Sequence, residues 1–180
     1  MTETIQERVI EPKNLERIEA VRTNKVAVVD VQVRNALVRR WFMRDFYFVT
    51  GHLFINGRAR QTRDRVEREL PGLLNSLQYA VTGLMTDADA YPAELPDDLP
   101  IYEFPLKLVD PCAAIIYREL VRADTAAARL YVAAENGTIS IEQRDGFVDT
   151  LIFALQMIKQ LSINYVPKTA AELADELKIT

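Results

Sequence analysis

Only two stretches of this chain carry the period-two alternation of a β-strand, and everything else about its fold has to accommodate them. In the first, Lys25 to Arg34, valines 29, 31 and 33 alternate with Asp30, Gln32 and Arg34. In the second, "IYEFPLKLVDP", Tyr102, Phe104, Leu106 and Leu108 share one face and Glu103, Pro105 and Lys107 the other. A lone strand is unstable, so each must find a partner, either in the other stretch or in a second copy of the chain. Pro105 gives up a ladder donor, which predicts an edge strand or one with an unpaired side.

The remainder is patterned for helices. Ala36 to Val49 predicts a helix ended by Gly51, although "FYFVTGHLFI" also fits a hairpin turning at Thr50-Gly51. The window 51–60 then reads as a loop. Gln61 to Met85 is helical with Pro71-Gly72 forcing a break or kink near its middle. Thr86 to Pro100, with prolines at 92, 96 and 100, is an acidic connector dividing two halves of similar plan, each a strand followed by helices. Asp110-Pro111 supplies an N-cap and first helical residue for a helix running to Asn136-Gly137. Ser140 and Gln143 form a capping box for a last long helix with an apolar run from Phe147 to Leu161. Residues 1–24 read as an N-terminal arm, 25–165 as a single domain, and 166–180 as a tail helix capped by Thr169 and Glu172. The fold class expected is mainly α with two short strands.

With 180 residues there is enough chain for one sizeable core. Its chemistry is narrow. One cysteine, Cys112, excludes an internal disulfide, and one histidine, His52, leaves no paired spacing for a zinc site. Ser76, Ser140 and Ser162 lack a nucleophile-elbow context, and the six glycines form no phosphate-cradling loop. No spacing of acids supports a metal-dependent nuclease. The expectation is a protein that is not an enzyme and needs no metal or cofactor. No apolar run approaches the ~18 residues of a membrane span, and "MTETIQERVIEPKN" is too polar for a signal peptide. A cytoplasmic, membrane-free protein is expected.

Charge is where the chain departs from the ordinary. Its net charge is -4, yet Arg34 to Arg68 holds nine arginines against three acids, or +6, with no lysine. Thr86 to Asp110 holds seven acids against Lys107, or -6. Arginine offers a permanently charged planar fork suited to phosphate. The window therefore either pairs with the acidic stretch of the same protein or meets an anionic partner such as a nucleic-acid backbone. Arg118, Arg122 and Arg129 share a face of the helix from Pro111.

The order strand, helices, acidic connector, "FPLKLVDPCAAIIYREL", long helix, "NGTISIEQRDG", helix resembles the AcaB-like family of conjugative plasmids and integrative conjugative elements. The closest stretch is Pro105 to Gln143, and the similarity spans about Lys25 to Leu161. The resemblance implies a ribbon-helix-helix-like architecture with extra helices, in a DNA-binding transcriptional activator of conjugative-transfer genes that acts as a homodimer or higher oligomer. Such proteins set a two-stranded ribbon into the major groove of double-stranded DNA. Asp30, Gln32 and Arg34 then become the base-reading side chains, with Arg39, Arg40, Arg58, Arg60 and Arg63 on the phosphates; arginines 58, 60 and 63 would lie near the start of the second helix. Lys107, Arg118 and Arg122 are the alternative set, carried by the second strand and its helix. The competing expectation is an interaction or structural accessory protein of a conjugation system, held together by its two long C-terminal helices.

Overall fold

The computed structural model describes residues 12–14 and 26–163. The arm at 1–24, apart from 12–14, and the tail helix at 166–180 lie outside the described residues. Seven elements follow in order: β1 (Ala27–Val33), α1 (Ala36–Arg44), α2 (Phe46–Asn56), α3 (Arg63–Ala90), β2 (Tyr102–Leu108), α4 (Pro111–Glu135) and α5 (Ile141–Ile163). It is a mainly helical protein with one two-stranded antiparallel sheet.

The two strands pair with each other in the same chain, Ala27 opposite Leu108, Asp30 opposite Pro105 and Val33 opposite Tyr102. The backbone N–H of Lys107 points away from β1 and donates to the Tyr47 hydroxyl, 2.8 Å away. Ladder bonding alternates along an antiparallel pair. The rows Val28–Lys107, Asp30–Pro105 and Gln32–Glu103 are therefore the non-hydrogen-bonded ones, and Pro105 stands where no ladder donor is needed. The outer edge of β2 is in turn blunted by Tyr47, a buried side chain on α2.

Under the ribbon lies the core. Val31, Val33, Phe104, Leu106 and Leu108 face inward and are buried with Val38 and Phe42 of α1 and Ile116 and Leu120 of α4. Each such side chain contributes about 1.5–3 kcal/mol by leaving water. Helix α2 is apolar around its circumference, and Phe46, Tyr47, Val49, Leu53, Phe54 and Ile55 are all buried. Helices α4 and α5 both pack on α3, which buries Leu77, Val81, Leu84 and Ala88. Ala123, Ala126, Ala127 and Ala133 keep the inner face of α4 small, so its neighbours approach closely.

Local signals explain the helix ends. Asn35 caps α1 by accepting from the N–H groups of Leu37 and Val38, and Asp110 caps α4 by accepting from Ala113. The end of α4 is a Schellman turn, with Gly137 at φ +71, its N–H on Ala134 and the Thr138 N–H on Ala133. Ser140 and Gln143 bond reciprocally, side chain to backbone N–H, at the start of α5.

Three boundaries differ from the sequence expectations. The helix from Ala36 ends at Arg44 and a second begins at Phe46, so Gly51 is neither a helix end nor a hairpin turn but a buried mid-helix residue. The cost of a helical glycine, about 1 kcal/mol, is small beside the burial of the aromatic and aliphatic side chains around it. The loop expected over 51–60 shrinks to 57–62 as a result. Pro71-Gly72 does not break α3, because both residues face solvent, where the carbonyl that proline leaves unbonded can be hydrated. The same helix continues to Ala90, which shortens the acidic connector at its start.

Helix α5 is long and apolar enough to cross a membrane by length and composition. Here it turns Val148, Leu151, Ala154, Leu155 and Ile158 into the core, while Ile141, Phe153 and Ile163 stay exposed. The arrangement is compatible with a soluble protein.

Candidate nucleic-acid interface

Most of the outer face of the ribbon is exposed. Asp30, Gln32, Glu103 and Pro105 are exposed, Lys107 is half-buried, and Val28 is 61% exposed. Val26 and Ile101 extend the open surface with 37% and 48% exposure. The Gln32 side-chain amide donates to the Glu103 carboxylate across the ribbon, as the closer spacing of a non-hydrogen-bonded pair allows.

Two helices leave the ends of this ribbon, and each corner is fixed by a carboxylate. After β1, the Asp124 carboxylate of α4 accepts from the backbone N–H of Arg34 at 3.0 Å and of Asn35 at 2.8 Å. Burial pushes the Asp124 carboxyl above its ordinary range, against those hydrogen bonds and the Arg34 guanidinium, which draw it down. After β2, Asp110 receives the Ala113 N–H; burial raises its carboxyl too, opposed by that bond and by the charge of Arg58.

The arginines divide into two groups. Arg44 pairs with Asp45, Arg63 with Asp64 and Glu67, and Arg65 and Arg68 with Glu69. These partners lie within four residues in sequence, and none of these pairs reaches the acidic stretch 86–110. Exposed pairs of this kind contribute about 0–1 kcal/mol each. Among the described residues Arg34, Arg39, Arg40, Arg58 and Arg60 have no carboxylate within ion-pair distance. The Arg39 guanidinium stacks 3.8 Å from the centre of the Tyr102 ring, at the Val33–Tyr102 end of the ribbon. Arg58 stacks 3.5 Å over Phe54, donates to the Phe54 carbonyl, and lies close enough to Asp110 to lower its carboxyl, at the Ala27–Leu108 end. Arg60 is exposed two residues beyond.

The structure brings Asp30, Gln32 and Lys107 together on one surface and places Arg39 and Arg58 at its two ends. Arg34 instead turns toward α4, where it lines a cleft with Leu99, Tyr131 and Glu135. Arg40 lies in a groove of about 330 Å³ between α1 and α5, beside Trp41, Ile152 and Lys159. Arginines 58 and 60 lie in the short loop between α2, which runs on through Gly51 to Asn56, and α3, which Arg63 opens. Arg118 and Arg122 both bond Glu119, a carboxylate with 1% of its side chain exposed, while their own side chains stay 60% and 40% exposed. Sequence reasoning did not find Asp124, which acts on a corner some 90 residues away.

A repeat joins these observations. β1 and β2 are both seven residues long, each is followed by one linking residue and an Asn or Asp N-cap, and the equivalent positions 27 and 102, 33 and 108, and 35 and 110 are all 75 apart. The pairing register centres on Asp30 opposite Pro105, which are themselves 75 apart. The ribbon thus has a local two-fold relating two strand–helix–helix units.

A mainly helical protein built on a single exposed two-stranded ribbon is the class these features define. No family model and no curated protein matches the chain. Among solved structures, the crystal structure of selenomethionine-containing AcaB from uropathogenic E. coli is similar, with a TM-score of 0.62 and 14% identity, over 86% of this chain and 97% of that one. At that identity the likeness shows the fold alone, which is AcaB-like.

Proposed function

We propose that the protein is a sequence-specific DNA-binding transcriptional regulator that sets its ribbon into the major groove. The observation that carries this reading is an exposed ribbon face with an arginine guanidinium stacked on an aromatic ring at each end. A major groove about 12 Å wide admits such a ribbon, and guanidinium groups at both ends suit the flanking phosphate strands. The twice-repeated strand–helix–helix order fits a ribbon-helix-helix architecture with its two halves joined in one chain. The AcaB-like resemblance adds the expectation of an activator of conjugative-transfer genes.

The experiment is a titration of a labelled random-sequence duplex across salt concentrations, followed by fluorescence anisotropy. Binding should weaken linearly in log–log form as salt rises. Absence of binding at low salt would overturn the reading.

A second reading has its own support. Val28 and Ile101 are apolar, and Asp30 and Glu103 are acidic, on the same open face, which favours a protein partner in a conjugation system. Size-exclusion with and without duplex, at low and high salt, separates the two readings.

A further inference from the structure

We infer that one chain, alone, reads a non-palindromic DNA site, and that the two ends of its ribbon prefer different bases; this rests on the DNA-binding reading above. In a ribbon made of two identical strands, the two-fold axis puts the same side chain on both half-sites, so the site must be a palindrome. Here both strands come from one chain, and no outward position is shared across the two-fold. Val28 is equivalent to Glu103, Asp30 to Pro105, and Gln32 to Lys107.

The pairing sorts these residues into two chemically different ends. One end carries Val28 beside Lys107, an apolar group with a cation. That combination fits a thymine methyl and the O6 and N7 acceptors of guanine. The other end carries Gln32 bonded to Glu103. An amide held by a carboxylate fits the N6 and N7 edge of adenine, and the carboxylate can accept from cytosine N4. Between them Asp30 faces Pro105, which has no donor to offer. The flanks differ as well, because Arg39 stacked on Tyr102 stands at one end and the Arg58–Arg60 segment at the other.

The test is selection of bound duplexes from a random pool with the full chain, followed by native mass spectrometry on the enriched duplex. The inference expects a motif without dyad symmetry, occupied by one chain. It also expects Lys107→Ala to relax preference at one end of that motif and Gln32→Ala at the other, each by roughly 5- to 150-fold, the equivalent of ~1–3 kcal/mol per good base contact. A palindromic motif holding two chains, or both variants relaxing the same positions, would overturn the inference while leaving DNA binding intact. Failure to enrich any sequence would overturn this inference and sequence-specific reading together. Enrichment with wild-type pattern in both variants would place the reading surface off the ribbon.

Discussion

The two strand–helix–helix units follow one local grammar and put it to different uses. Each opens with a seven-residue strand, a single linking residue and an Asx-capped helix. The first then makes two short helices, α1 and α2, and carries Arg39 and Arg58 at the two ends of the ribbon. The second makes two long ones, α4 and α5, whose small and aliphatic faces pack on α3. The corners show the dependence most plainly. Asp110 caps its own helix, whereas the corner after β1 is held by Asp124 from the other unit. The first unit is mounted on the second, and its shape is set by contacts that its own sequence does not contain.

The largest effect should therefore come from the borrowed corner. Asp124→Ala leaves the buried N–H of Asn35 and the half-buried N–H of Arg34 without an acceptor and should lower stability by about 3 kcal/mol, with an unchanged urea m-value. Asp110→Ala removes a cap within its own helix and should cost about 1 kcal/mol. Equal costs in urea melts would contradict the asymmetry of the two corners.

Next comes the tie between the units at Asp45, which accepts from Lys159 of α5 at 2.7 Å and from Arg44 at 3.0 Å. Burial alone would raise the Asp45 carboxyl, but the bonds from Lys159 and Arg44 hold it below its ordinary 3.8. A carboxyl lowered on folding stabilises above its unfolded value and loses that contribution as pH falls through the folded one. Asp124 and Asp110, raised by burial, act with the opposite sign, since the native state holds their protons more tightly. Asp45→Asn should thus cost about 2 kcal/mol at neutral pH and flatten the loss of stability below pH 3.8, read from denaturant midpoints against pH.

The smallest effect on folding, and a selective one on function, belongs to Arg60. It is exposed and unpaired among the described residues, so Arg60→Ala should leave the melt within about 0.5 kcal/mol. Binding to every duplex should weaken, with a salt slope smaller by about one. The same substitution at Arg122, already committed to Glu119, should leave the slope unchanged and reduce stability instead, by leaving a buried carboxylate with less compensation.

Much of this was legible in residue patterns. The two strands, the Asp110 cap, the capping box at Ser140 and the glycine stop at 137 all rest on short-range chemistry that a sequence displays directly. The break at Asp45 and the passage of α2 through Gly51 were not, because they depend on burial from all sides rather than on propensity. The 75-residue repeat escapes side-chain comparison, since equivalent outward positions hold Val and Glu, Asp and Pro, Gln and Lys. It shows only in strand length and cap spacing. At the interface, the ribbon face follows from alternation, but which arginines stay free of carboxylates depends on helix register and on contacts such as Arg39 with Tyr102, 63 residues apart in sequence.

That both strands of the ribbon come from one chain is most directly tested by pairing cysteines across it. Val28 and Lys107 face each other at a non-hydrogen-bonded position, where Cα atoms stand about 4.5 Å apart, within disulfide reach. The native Cys112 is half-buried and its thiol is pushed up to about 12, which keeps it out of exchange. Oxidised Val28→Cys/Lys107→Cys protein should run on non-reducing gels as a bridged monomer at every protein concentration and melt higher than its reduced form. Disulfide-linked dimers that grow with concentration, with no bridged monomer, would contradict the single-chain ribbon.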